Sequence, residues 1–107
     1  MFVKEIKDFI VKIVNGRDYV PTGLLELNRY FRYYDPIYFD IIDEGNILIA
    51  KSTNFRYGTI ITNGRDIQEV DKNIKDAIMS SFDIPSSYAK EAAISNIGDK
   101  NMQYASA

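Results

Sequence analysis

The chain has 107 residues, 46% of them hydrophobic and 26% charged, with 13 basic and 15 acidic side chains and a net charge of -2. That composition belongs to one globular domain rather than to a disordered, fibrous or membrane-spanning chain, and its charge exerts no long-range pull on a phosphate backbone. Cysteine and histidine are both absent, which excludes disulfides, thiolate or imidazole metal ligands, thiol nucleophiles and Ser-His-Asp catalysis, and fits a cytoplasmic setting.

At the N-terminus Phe2, Val3, Ile6, Phe9, Ile10, Ile13 and Val14 recur at steps of three and four. This spacing predicts an amphipathic helix over residues 2–14, stopped by Asn15-Gly16. Lys4, Glu5, Lys7, Asp8 and Lys12 interrupt the apolar residues, so no secretory leader is expected, and no stretch reaches the roughly 18 to 20 apolar residues of a membrane span. A loop with two glycines and a proline follows. A second helix is predicted over residues 24–34, ended by Asp35-Pro36, because a proline disfavours helical geometry in the residue before it.

Residues 37–42 and 47–50 are rich in β-branched and aromatic side chains and flank the turn Asp43-Glu44-Gly45-Asn46, which predicts a hairpin. Residues 59–62 read as a third strand, ended by Asn63-Gly64. The strongest helical pattern covers residues 66–82, with Ile67, Val70, Ile74, Ala77, Ile78 and Phe82 on one face. Asp66 is placed to cap it and Glu69 completes the spacing of a capping box. A short helix is expected over residues 87–96, and residues 99–107 carry no periodic pattern and are expected to be a flexible tail. The predicted fold is therefore α+β: a three-stranded antiparallel sheet with a helix packed on one face, preceded by one or two N-terminal helices. The organisation reads as an N-terminal helical extension (1–35), a βββα domain (36–85) and a short helix with a tail (86–107).

The segment Arg29, Tyr30, Arg32 and Tyr34, with Phe31 and Tyr33 between, interleaves bases with aromatics. Rings of this kind stack single-stranded bases while arginines hold phosphates; the plainer reading is packing of the helices or a protein interface, where Tyr and Arg are enriched. Asp40 occupies the first predicted strand, and Asp43, Glu44, Glu69 and Asp76 are further carboxylates. A two-metal nuclease needs several carboxylates converging on its ions. Capping, turn and surface roles account for these residues more simply, so neither a metal nor a cofactor is expected.

The string from Thr62 to Ile78, preceded by a hairpin and followed by Ile84-Pro85, resembles the HicB family of antitoxin-like domains. Thr62, Gly64, Asp66, Ile67, Glu69, Asn73, Ile74, Asp76, Ala77 and Ile78 fall at that family's motif positions, as does the turn Asp43-Glu44-Gly45. The resemblance spans about half the chain. It implies a three-stranded sheet with a helix across one face, a partial RNase H-like fold, and a non-catalytic role in masking a small RNA-cleaving HicA-like toxin. The additional mass lies in front, and no complete helix-turn-helix is expected after Pro85.

Three strands leave unpaired edges, which invite pairing with another chain. The expected function is thus a non-enzymatic, antitoxin-like interaction module acting as a homodimer, with a small basic toxin-like protein as its partner. Tyr30, Tyr33, Phe39, Phe55, Arg56 and Tyr57 are the expected interface residues. The alternatives are a dimeric nucleic-acid-binding regulator using Arg29, Tyr30, Arg32 and Tyr34, and a small metal-dependent nuclease using Asp40.

Overall fold

The computed structural model describes residues 22–98 and 102–106; the helix predicted over residues 2–14 lies outside them. Helix α1 (Thr22–Tyr33) buries Leu24, Leu27 and Tyr30 at three-residue spacing and stops before Asp35-Pro36, as the backbone preference of that pair requires. Strand β1 (Ile37–Asp43) alternates buried Ile37 and Phe39 with outward Tyr38 and Asp40. It pairs antiparallel with β2 (Leu48–Ser52) through a turn in which Gly45 takes φ +91° and donates its N–H to Asp43 Oδ1 at 2.8 Å. Strand β3 (Ile61–Gly64) pairs antiparallel with β2.

Helix α2 (Ile67–Ser81) is capped as its sequence indicates, with Asp66 Oδ1 accepting the Glu69 N–H at 2.8 Å. The reciprocal half differs from an ordinary capping box, because the Glu69 carboxylate accepts the N–H of Arg65 (3.0 Å) and pairs with its guanidinium (3.2 Å). The conspicuous motif residues serve this joint. A Cβ on Gly64 would stand 2.7 Å from the Val70 amide nitrogen, and Asn73 Nδ2 donates to the Asn63 carbonyl at 2.7 Å, tying the helix to the edge strand.

Among the described residues the sheet has five strands rather than the three expected, in the order β3-β2-β1-β5-β4 and antiparallel throughout. In place of one helix over residues 87–96 there is a 3-10 turn (Ser86–Tyr88), a single helical turn α3 (Ala89–Ala92), a left-handed Ala93, and strand β4 (Ile94–Asn96). Residues expected to be a flexible tail form β5 (Met102–Ser106), which lies between β1 and β4. The unpaired side of β1 is thereby occupied within the chain. Asn96 fixes the β4–β5 connection by accepting the N–H groups of Gly98 (3.0 Å) and Gln103 (3.1 Å) through its Oδ1.

Both long helices cover the same side of the sheet. Leu24, Leu27, Ile37, Phe39, Ala50, Val70, Ile74, Ile78, Phe82, Ile94 and Tyr104 belong to one buried cluster, while the opposite side of the sheet faces outward. Two contacts lock the layers. A Cβ on Gly23 would lie 2.1 Å from the Phe82 carbonyl oxygen, so only glycine lets α1 cross the end of α2 this closely. Tyr104 is fully buried with its ring edge-on to Phe39 (5.7 Å), and its hydroxyl donates to Asp71 Oδ1 at 2.5 Å while Lys75 Nζ sits 2.9 Å from Oδ2.

Partial burial works against ionisation of Asp71, but the hydrogen bonds from Lys75 and Tyr104 outweigh it and hold the carboxyl below its usual range. Burial, reinforced by the Asp71 carboxylate, pushes the Tyr104 phenol far above the usual tyrosine value.

Gly23→Ala is expected to lower the unfolding free energy by about 1–3 kcal/mol, through overpacking against backbone. Urea denaturation measures it, and an unchanged midpoint would contradict the close crossing. Tyr104→Phe is expected to cost about 1–2 kcal/mol at neutral pH. Asp71, depressed in the folded state, contributes stability above its unfolded pKa of about 4, lost as pH falls through the folded value; Tyr104, raised, contributes fully below about 10 and loses its contribution above. The stability gap between wild type and Tyr104→Phe is therefore widest near neutrality and closes towards both extremes; a gap independent of pH would contradict the Tyr104–Asp71 bond.

Candidate interaction surface

The aromatic crowding of the sequence resolves into one cluster centred on Tyr30. Its ring centroid lies 4.9 Å from Tyr34, 5.2 Å from Phe31, 5.4 Å from both Phe55 and Tyr57, and 5.6 Å from Phe82. Most of these pairs are edge-on or tilted, the arrangements the ring quadrupole favours. Tyr30 is only 2% exposed, and its Oη accepts the backbone N–H of Arg56 at 3.1 Å. Burial pushes its phenol above the ordinary tyrosine value, against the opposing pull of the Arg56 amide and guanidinium.

The other half of the cluster comes from the loop between β2 and β3. Asn54 clamps that loop to the start of β1, accepting the Tyr38 N–H at 2.8 Å and donating to the Pro36 carbonyl at 2.9 Å. Ser52 closes the far end, its Oγ accepting the Ile60 N–H at 2.8 Å. Phe55, Arg56 and Tyr57 are thus presented beside α1 from a loop held at both ends. The Arg56 guanidinium lies over the Tyr34 ring, 4.6 Å from its centroid, within the range of a cation–π contact.

Around this core runs a shallow cleft of about 190 Å³ lined by Glu26, Arg29, Tyr30, Tyr33, Tyr34 and Tyr57. A second depression beyond it is lined by Tyr34, Asp35, Asn54, Phe55 and Arg56. Tyr33 is 70% exposed and Tyr57 66%. Arg29, Arg32 and Arg56 are exposed as well. Leu25, Arg29 and Tyr33 follow one another at four-residue spacing along the outer side of α1. That spacing is visible in the sequence and would have drawn Leu25 and Glu26 into the candidate site; the stacking of Arg56 on Tyr34, across a gap of 22 positions, has no local signal.

Of the residues expected to meet a partner, Tyr33, Arg56 and Tyr57 stand on this surface and Phe55 is half-buried beneath it. Two expectations change. Tyr30 lines the cleft but is buried as the support of the surface, and Phe39 lies in the core against Tyr104. Among the nucleic-acid candidates, Arg29, Arg32 and Tyr34 are exposed and Tyr30 is not. Arg65 is engaged with Glu69, and Lys51 stands on the outward side of the sheet, opposite Asp40 in the β1–β2 register.

Asp43 ends β1 and accepts the Gly45 N–H, Glu44 lies in the β1–β2 turn, and the Glu69 carboxylate is engaged with Arg65 just before α2. Among the described residues no group of three or more Asp, Glu, His or Cys side chains is arranged to hold a metal ion. No described helix is long and apolar enough to cross a membrane. Comparison of the chain with family models, with curated proteins and with solved structures gives no significant match in any of the three.

Truncating the support and truncating the surface are expected to differ sharply. Tyr30→Ala removes a fully buried aromatic and costs about 3–5 kcal/mol, whereas Tyr57→Ala stays within about 1 kcal/mol of wild type, as exposed positions usually do. Thermal unfolding of the two variants side by side measures this, and equal losses would show that Tyr57 also carries the fold.

Proposed function

We propose that the chain is a non-catalytic protein-association module, built on a HicB-like βββα unit over residues 36–85, that acts as a dimer in the cytoplasm and masks the working surface of a partner. The observation that carries this reading is the exposed set Tyr33, Arg56 and Tyr57, mounted on the buried Tyr30. Aromatics and arginines over an apolar base are the composition of interface hot spots, and the rings lose little side-chain entropy when they are covered. The order of the Thr62, Gly64, Asp66, Glu69 and Asn73 motif also supports the family resemblance. The net charge of -2 favours encounter with a small basic toxin-like partner. At the contact itself, Arg29, Arg32 and Arg56 seek that partner's carboxylates, carbonyls and aromatic faces.

The stacking of Arg56 on Tyr34 beside Arg29 favours a second reading, in which the same surface holds single-stranded nucleic acid. One experiment separates the two. Tagged wild-type chain and the Tyr33→Ala/Tyr57→Ala double variant are each recovered from the native cell and also titrated with fluorescent single-stranded RNA. Retention of one small basic protein by the wild type and its loss in the variant is the expected result. Binding of the RNA, weakened roughly twentyfold by a fourfold rise in salt if about three phosphates are neutralised, would replace the first reading with the second. Retention of neither would overturn both.

A further inference from the structure

The two sides of the sheet differ. One is buried under α1 and α2, while the other carries Tyr38, Asp40 and Ile42 from β1, Ile49 and Lys51 from β2, and Ile61 from β3. Tyr38 is 42% exposed, Ile42 45% and Ile61 63%. Tyr38, Ile42, Ile49 and Ile61 give this mixed face an apolar share that a further layer would cover.

The register of this face suits a second copy of the chain as that layer. Asp40 lies directly opposite Lys51, and Ile42 directly opposite Ile49, across the same pair of strands. A two-fold axis parallel to the strands, passing above the line between β1 and β2, exchanges the two strands between copies. It sets Asp40 of one protomer over Lys51 of its partner and Ile42 over Ile49, each contact occurring twice. Charge and apolar rows thus become self-complementary in a single operation, which is the requirement of an isologous dimer. Aligned packing of two sheets, about 10 Å apart and within roughly 30° of parallel, matches this geometry.

From this register we infer that the outward sheet side is a homodimer interface, formed by Asp40, Ile42, Ile49 and Lys51 against the same residues of a second copy. The inference rests on the dimeric reading above and names its surface. It also separates two tasks, because the Tyr33–Tyr57 surface lies over the helical side of the sheet and stays uncovered when two sheets meet back to back.

The test is a charge swap read as solution mass by light scattering, with circular dichroism confirming that each variant is folded. Wild type is expected at twice the chain mass. Asp40→Lys and Lys51→Asp each bring like charges together twice by symmetry, weakening association roughly a hundredfold or more, so each runs as a single chain. An equimolar mixture of the two single variants, one carrying two cations at these positions and the other two anions, recovers the dimer mass. The Asp40→Lys/Lys51→Asp double variant recovers it alone and serves where a single variant fails to fold.

A monomeric wild type overturns the inference, whether the face is bare or covered by the chain's own N-terminal residues. Dimers that survive both single reversals overturn it in favour of an edge-strand contact. Tyr33→Ala/Tyr57→Ala is expected to remain dimeric, so loss of partner capture there, with the dimer intact, separates failure of this interface from failure of the association reading.

Discussion

The structure depends on burial of one phenol where three segments meet. Tyr30 comes from α1, Phe82 from the end of α2, and Phe55 and Tyr57 from the loop between β2 and β3; the rings of all four lie within van der Waals reach of one another. Removing a ring of this size from water is worth a few kcal/mol, but its position matters more than its area. The Tyr30 hydroxyl also accepts the Arg56 N–H, so the loop is held by a directional bond as well as by packing. Gly23 makes the arrangement feasible, because α1 can approach the Phe82 carbonyl only where no Cβ intervenes. Exposed Tyr33, Arg56 and Tyr57 inherit their rigidity from this junction.

A second constraint acts from the far side of the core. Strand β5 enters between β1 and β4 and is secured by Tyr104, whose ring fills space beside Phe39 and whose hydroxyl reaches Asp71 on α2. A buried phenol without an acceptor would destabilise the strand that carries it; Asp71 supplies one, and Lys75 keeps that acceptor ionised. The three-stranded meander thereby gains two strands and loses the exposed side of β1. Among the described residues its remaining edges, β3 and β4, are short, which limits edge-to-edge pairing. The association proposed above then falls to surfaces, namely the aromatic rim on one side and the Asp40–Lys51 face on the other.

The local elements were legible where periodicity, caps and turn chemistry agree. Helix α2 follows its prediction to within a residue at each end because Asp66, Glu69 and the Ile74–Ile78 spacing all give the same answer. The β1–β2 hairpin is as legible, since Gly45 at positive φ is the residue its turn demands. The stretch from Ser86 to Asn96 misled because Tyr88, Ala89 and Ala92 suit a helix, yet Ala93 turns left-handed and the chain continues as a strand. The Met102–Ser106 strand carries one decisive residue, Tyr104, and with Met102 as its one other large apolar side chain it is too short to register as a pattern. The candidate surface was half legible: its aromatics and arginines stand out in the sequence, but the division of Tyr30 and Phe39 from Tyr33 and Tyr57 does not.

By itself the sequence determined the class of the fold, the α2 cap, the β1–β2 hairpin and the absence of thiol and imidazole chemistry, all of which follow from interactions between residues close in the chain or from composition alone. Tertiary structure decided the five-stranded order, the burial of Tyr30 and Phe39, the stacking of Arg56 on Tyr34 and the placing of Asp40 against Lys51 on an open face. Asp40 and Lys51 are 11 positions apart, and Ile37 and Tyr104, which set β5 beside β1, are 67 apart, so the outcome depends on which distant surface is available to be covered. No local propensity encodes that choice; it is made when the core closes and every segment competes for the same apolar area.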